Sequence, residues 1–315
     1  MQQRLLWTII IVFLASLCFV LGGYWADIYR KMLLVITLCV GFNFLFGVAG
    51  QIAFSHIAFY GIGAYSVVIF SSILGWPLPL AIFGAIALCG VIAIIVAFPA
   101  SRLEGFYLAL ATLAFAQLFN VVIVQGGDVT GGPQGLSGFG QQDYFGFSFT
   151  DQSYTLVIVV LFLGTLLIIT RLENSWFGRA CRAVHDSPEA AEAMGVDVLF
   201  IKVAAFTLTS VLAGVAGVAY AFIDNYVNPL VFSLEPMFQL LFMIVLGGIG
   251  RTSGAIIGAI VIFLAPEIFE EWVGRYYILG VGVLVVLSIL LLPKGVVELF
   301  DRLFKNDKLM RKGQK

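Results

Sequence analysis

The sequence predicts an all-α, polytopic integral membrane protein of about ten transmembrane helices, within a range of about eight to ten, and three observations carry that reading. Of its 315 residues, 61% are hydrophobic and 11% charged, with 29 Phe and a mean hydropathy of +1.05, a composition foreign to a large soluble core. Uncharged runs long enough to cross about 30 Å of hydrocarbon, roughly 20 residues each, recur along the whole chain. Basic residues gather in two places, the loop 171–202 and the segment 294–315, as they do on the cytoplasmic side of a membrane.

Taken in order, the expected spans are 5–24, 32–49, 51–74, 78–98, 105–125, 153–170, 203–223, 236–250, 252–266 and 276–293. Arg4 ahead of the first run, and Leu14–Cys18 within it, look vaguely like a signal peptide with a lipoprotein cleavage site. The run continues to Ala26, however, and Leu17 is a poor residue before a lipidated Cys18, so it reads as a span. Residues 32–101 contain no Asp, Glu, Lys or Arg. The loops 126–152 and 224–235 hold Asp128, Asp143, Asp151, Asp224 and Glu235 but no Lys or Arg, which suits the outer face. Segments 236–250 and 252–266 reach only about 22 Å at 1.5 Å per residue, so tilted, broken or re-entrant helices are expected there. Both termini are expected inside, with Arg30-Lys31 the one basic pair left outside. The whole chain, 1–315, reads as a single transmembrane domain with a basic cytoplasmic tail over 294–315.

The inner loop contains His185-Asp186-Ser187-Pro188-Glu189-Ala190-Ala191-Glu192-Ala193-Met194-Gly195-Val196-Asp197, a charged stretch in an otherwise oily chain. Ser187 suits an N-cap, Pro188 the first helical position, and Glu189 and Glu192 the positive end of a helix that Gly195 stops. About two turns result, too short to be stable alone. They present Ala190, Ala191, Ala193 and Met194 either to a partner's cleft or simply to the hairpin joining two spans.

Glu189-Ala190-Ala191 followed by Gly195 resembles the EAA loop of ABC importer permeases, the coupling helix inserted into a partner ATPase. Its longer form continues with an I-x-L-P pattern that Ala205, Thr207 and Leu208 do not supply, which sets aside the maltose-like and peptide permeases. Gly41–Gln51, His56–Tyr65, Arg102–Ala109, Thr130–Leu136, Phe177–Ala183 and Val245–Gly250 resemble, in collinear order, the permeases of branched-chain amino acid ABC transporters, most of all the M-type of the two paired permeases. Ser55 stands where that family has Gly. The resemblance implies an ABC importer permease fold and import of leucine, isoleucine or valine; urea, short amides or other amino acids are the alternatives within the superfamily. It also implies an H-type second permease, two ATP-binding subunits, a periplasmic binding protein, and a bacterial or archaeal plasma membrane. Arg179, Arg182, Ser187, Glu189, Ala190, Ala191, Glu192, Met194 and Gly195 become the ATPase-coupling residues. Arg179 and Arg182 equally suit positive-inside anchors.

No G-x-x-x-x-G-K-[ST] occurs, so no nucleotide site is expected in this chain, and ATP and Mg belong to the partner ATPase. No catalytic set or nucleic-acid partner is expected either. Cysteines 18, 39, 89 and 181 show no C-x-x-C spacing, which argues against zinc and disulfides. Ion-coupled transport usually keeps a charge at membrane depth, and these spans have none; a channel or scaffold is the remaining, weaker alternative. For the translocation path the candidates are Asn43, Gln51, Ser55, His56, Tyr60, Thr112, Gln117 and Asn120; Thr112, Ala116 and Asn120 share a helix face. Each also suits an ordinary interhelical hydrogen bond, and His56 suits an interhelical donor better than a ligand. Gly47–Gly50 is glycine-interrupted like 236–250 and 252–266, and paired interruptions of that kind can mark a pathway; Gly214–Gly217 echoes the tetrapeptide, but among 34 glycines chance accounts for such an echo and no internal repeat is claimed. The outer loop suits either binding-protein docking or packing on Tyr144, Phe145, Phe147 and Phe149.

Overall fold

The computed structural model describes residues 22–103, 105–137 and 151–273, with 280 and 282; the span expected at 276–293, the tail 294–315 and all but the last residues of the span 5–24 lie outside these. The described chain is a helical bundle. Its long elements are α1 (Tyr24–Asn43), α2 (His56–Val68), α3 (Leu78–Ala100), α4 (Phe106–Gln125), α5 (Asp151–Asn174), α8 (Val198–Asp224), α9 (Leu234–Gly247) and α10 (Thr252–Val273), with α6 (Trp176–Asp186) and α7 (Pro188–Ala193) between α5 and α8. Six helices among the described residues are long and apolar enough to cross a membrane, beginning at Tyr24, His56, Leu78, Phe106, Gln152 and Val198; Leu234–Gly247 and Thr252–Glu267 are shorter apolar helices. The protein is therefore an all-α, multi-pass membrane protein.

Several boundaries differ from the sequence expectation. The first expected span ended at residue 24, but Gly23 adopts φ +56 and a helix starts at Tyr24. Helix α1 therefore carries Asp27, Arg30 and Lys31 within it; Asp27 and Arg30 pair one turn apart, which lowers the cost of holding them near lipid. Helices α1 and α2 each end in a widened turn, at Phe44–Val48 and Ile69–Ile73, closed by Ala49 N–H to Phe44 O and Leu74 N–H to Ile69 O, both 3.0 Å. Residues 51–55 are not helical; α2 begins only at His56.

Packing is governed by small residues. Gly63 meets Gly214, and Gly217 meets Tyr60, so closely that a Cβ on Gly217 would sit 2.8 Å from the Tyr60 carbonyl carbon; α2 and α8 thus run backbone against backbone. Gly214–Gly217 is therefore a packing notch in the uninterrupted, 27-residue α8. Helix α3 buries Ala81, Ala85, Cys89, Ala93 and Ala97, a stripe repeating every fourth residue, and turns Phe83, Val91, Ile95 and Phe98 outward. Buried against α8, that stripe costs little side-chain entropy; the outward face suits lipid.

Helices α6 and α7 define one end of the bundle. Phe44 stacks on Phe177 there, and Thr252 Oγ1 donates to Glu173 Oε1 at 2.5 Å, so the turn ending α1, α5, α6 and α10 meet at this end. The opposite end is closed by a two-stranded clasp in which β1 (Leu136–Ser137) pairs antiparallel with β2 (Tyr226–Val227). Tyr226 Oη donates to Gln134 O at 2.7 Å, and Thr130 Oγ1 to Ile123 O at 2.6 Å. Gly131–Leu136 is thus a tie between the far ends of α4 and α8. Asp143 and the four aromatics named for this loop lie outside the described residues.

Candidate functional site

Helix α7 forms as the local sequence dictates. Ser187 Oγ accepts from Ala190 N–H at 3.3 Å and Pro188 occupies the first turn. At the other end Val196 N–H reaches Ala191 O at 3.0 Å and Gly195 N–H reaches Glu192 O at 2.9 Å, with Gly195 at φ +81. Those paired bonds close the last carbonyls in the manner of a left-handed C-terminal cap. Six residues cannot hold a helix by propensity alone, and here the two caps are helped by Ala191, which is 4% exposed and turned into the bundle. That corrects one expectation: Ala191 fastens the peg to its own protein, while Ala190, Ala193, Glu189 and Glu192 stay exposed and Met194 is 84% exposed. Phe200 and Trp176, exposed at the same end, add apolar surface.

Helix α6 is the peg's mount. Ser175 caps it, and its buried face is Gly178, Ala180, Cys181 and Val184. Burial pushes the Cys181 thiol up to about 12 despite the opposing pull of neighbouring Arg182. Arg182 donates to Glu173 O at 2.7 Å and Arg179 to Asn174 O at 3.3 Å, so both guanidinium groups close the carbonyl end of α5. His185, at the joint between α6 and α7, lies on Gly50, where a Cβ would stand 2.6 Å from the imidazole Cγ.

Gly50 leads to a junction of two chain interruptions. Gly47 touches Gly250, and a Cβ on Gly47 would lie 2.5 Å from Gly250 Cα. Asn43 Oδ1 accepts from Gly250 N–H at 2.9 Å. Peg, mount, the turn ending α1 and the loop joining α9 to α10 are thereby in contact in series.

The expected path residues do not converge on one point. Asn43 belongs to the junction. Gln51 Nε2 donates to Lys202 O at 3.0 Å, and Phe54 N–H donates to Thr112 Oγ1 at 2.9 Å, so Gln51 and Thr112 hold the irregular 51–55 segment against α8 and α4. His56, 1% exposed, rests on Gly41 and Phe42. Asn43 Nδ2, Gln51 Oε1 and His56 Nε2 are buried without a hydrogen-bond partner among the described residues. Asn120 lies at the far end, 3.4 Å from Pro229 O, and Gln117 is exposed on α4. Tyr60 lines a cavity of about 270 Å³ at the far end, which the sequence reading did not anticipate. No group of three or more His, Cys, Asp or Glu side chains among the described residues is placed to hold a metal ion.

Comparison with known proteins adds the following. Residues 24–292 match the family described as "Branched-chain amino acid transport system / permease component". The chain is 27% identical over 326 aligned positions, covering 95% of it and 76% of the relative, to the high-affinity branched-chain amino acid transport system permease protein LivM of Escherichia coli K12. It is also 26% identical to LivH of the same organism, over 82% of this chain and 90% of that one. A probable LivM permease of Methanocaldococcus jannaschii is 25% identical over 69% of this chain and 67% of the relative. No solved structure matches.

Proposed function

Because the chain belongs to the family of branched-chain amino acid transport permease components, we propose that it is the membrane-spanning subunit of an ATP-binding-cassette importer for leucine, isoleucine and valine. The observation that carries this reading is the peg: a doubly capped helix, mounted on α6, whose Met194 is 84% exposed at the end of the bundle richest in basic loop residues. A water-facing apolar knob of that kind invites a partner's cleft. The peg end, both termini and the segment 294–315 are cytoplasmic in this reading, and the clasp end faces outward.

The subunit itself performs no catalysis. ATP and Mg are bound by two partner ATPases, a binding protein delivers solute at the clasp end, and a second permease of the H type completes the path; the likeness to both LivM and LivH supports a paired arrangement. Closure of the ATPases displaces α7 and, through the joint at Ser187, its mount α6. His185 then loads Gly50, and the Gly47–Gly250 contact shifts the ends of α1 and α9. Asn43, Gln51 and His56, each with an unpaired buried polar atom, gain or exchange partners as these ends move.

The test is a reconstituted complex of both permeases, the ATPase and the binding protein. Uptake that resists protonophore and is abolished by vanadate, with ATP hydrolysis stimulated by the loaded binding protein, is the expected result. Uptake that collapses with the proton gradient, or hydrolysis indifferent to the binding protein, would overturn the proposal.

A further inference from the structure

The turn Pro229–Phe232, at the clasp end between α8 and α9, is fastened at both of its ends. Pro229 and Phe232 are buried, Phe232 against the rings of Tyr60, Tyr65 and Tyr220. Asn228 Oδ1 accepts from Leu230 N–H at 3.0 Å, and Asn120 Nδ2 donates to Pro229 O at 3.4 Å, so α4 holds the turn from the side. Gly135 of the clasp packs on the same turn, where a Cβ would stand 3.2 Å from Pro229 Cδ. Between these anchors Leu230 is 73% exposed, while Val231, its neighbour, lines the cavity of about 270 Å³. A leucine held out on a fixed turn can be covered by a partner with little further loss of chain entropy.

The surface around Leu230 joins apolar side chains to acids. The short turns Gly127–Val129, Gly132–Gln134 and Pro229–Phe232 touch in series, and Val129 adds a second exposed apolar side chain, at 52%. Asp128 precedes it, and Glu235 lies in the first turn of α9; both are exposed, and neither forms an ion pair among the described residues. The loops of this end, 126–152 and 224–235, contain no Lys or Arg. Apolar side chains set beside unpaired carboxylates are repelled by an anionic lipid surface and suit a protein whose apolar hollow has a basic rim. The cavity beneath selects among proteins. Its lining includes Val231 and Pro236, next in the chain to Leu230 and Glu235, so a partner seated here is placed to pass a small solute into it. We propose that Leu230, Val129, Asp128 and Glu235 form the seat of the solute-binding protein. Leu230 enters an apolar hollow on that protein, and the two carboxylates meet Lys or Arg side chains at its rim.

The inference rests on the permease reading and deepens it by naming the side chains that receive the binding protein and the charge that protein carries where it lands.

The experiment uses the whole importer in proteoliposomes and reads ATP hydrolysis as its own binding protein, loaded with leucine, is titrated in. Leu230→Asp should raise the half-stimulating concentration about tenfold or more, with the stimulated rate recovered at saturation, which a collapsed bundle would not allow. In the parent that concentration should climb severalfold between about 0.05 M and about 0.3 M salt; with Asp128→Asn and Glu235→Gln combined it should start higher and lose most of that dependence. Leu230→Cys supplies a separate measurement, which decides the matter if Leu230→Asp fails to insert. A charged thiol reagent applied from outside should label it, and the loaded binding protein should slow the labelling about threefold or more. A Leu230→Cys thiol that resists the reagent even without the binding protein would show that lipid or the second permease covers it, and would overturn the docking seat. So would a half-stimulating concentration for Leu230→Asp within about twofold of the parent, labelling that the binding protein does not slow, or an unchanged salt dependence in the double variant. Each of these leaves the permease reading intact. Hydrolysis in the parent complex that the loaded binding protein does not stimulate would instead remove the permease reading, and the docking seat with it.

Discussion

Gly47→Ala tests the junction between the two interruptions. The added methyl carbon would lie 2.5 Å from Gly250 Cα and 3.0 Å from Ile249 Cγ2, against about 3.5–4.0 Å for comfortable carbon contacts. Backbone faces backbone here, so no rotamer change relieves the clash; α1 and the 248–251 loop must separate by about 1 Å. That separation stretches the 2.9 Å bond from Gly250 N–H to Asn43 Oδ1 to about 3.9 Å, outside hydrogen-bond range. Overpacking costs about 1–3 kcal/mol, and stranding a buried acceptor about 1–3 kcal/mol more. The sum, about 2–6 kcal/mol, is a large part of a typical total stability of about 5–15 kcal/mol. Gly164→Ala is the control, because a Cβ there meets nothing within 4 Å and helix α5 should gain a few tenths to about 1 kcal/mol. Denaturation of the detergent-solubilised protein measures both. Gly47→Ala within about 0.5 kcal/mol of the control would refute the contact and the coupling route through it.

Deleting 188–194, or Gly195→Val, which forces a β-branched residue to φ +81, should abolish solute uptake while the chain still inserts; full uptake by either inserted variant would show that the peg is only a connector. Met194→Asp alters no buried contact of this chain and should reduce binding-protein-stimulated ATP hydrolysis by about tenfold or more, with unchanged thermal stability in the isolated subunit. Cys181, with its thiol raised from 9.0 to about 12, should resist iodoacetamide at pH 8 to 9 in the native protein and react on unfolding. Between about pH 9 and 12 the unfolded state loses this proton while the native state keeps it, so stability falls as pH rises through that window. Cys181→Ala should remove this part of the alkaline loss, as denaturation midpoints at pH 8 and pH 10 would measure.

What could be read from the sequence was local. The cap of α7 depends on Ser187, Pro188 and Gly195, all within one segment, and the structure reproduces it bond for bond. Apolar stretches such as 78–98 and 105–125 likewise appear as α3 and α4, because length and the absence of charge suffice. Helix α6 was not separated from its loop, since its eleven residues are half charged or polar on the outside and its apolar face finds cover only in the folded bundle. Gly47 and Gly250 are 203 positions apart, and nothing in either glycine announces the other. The Gly214–Gly217 echo could not be interpreted for the same reason: a glycine that breaks a helix and one that lets two helices touch are spelled alike, and only the neighbour decides. Arg30-Lys31 looked like an exception to the charge rule; with α1 beginning at Tyr24, Arg30 answers Asp27 and Lys31 enters the cavity lining.

The placement of the junction and the cavity on shared helices has a mechanical consequence. Helix α1 carries Lys31, Val35 and Leu38 in the cavity and Asn43 and Gly47 at the junction. Helix α9 carries Gln239 and Met243 in the cavity and runs into Gly247–Gly250 at the junction. From Lys31 to Gly47 is about 24 Å of nearly continuous helix at 1.5 Å per residue. A helix is stiff over that length, and the glycine-to-glycine contact at its foot is tied by the bond from Gly250 N–H to Asn43 Oδ1. In the proposed mechanism, force applied at the peg would travel to the cavity wall along α1 through the widened turn at Phe44–Val48. The same geometry accounts for glycine at the contact, because any side chain at Gly47 would meet the Gly250 backbone and hold the two segments apart.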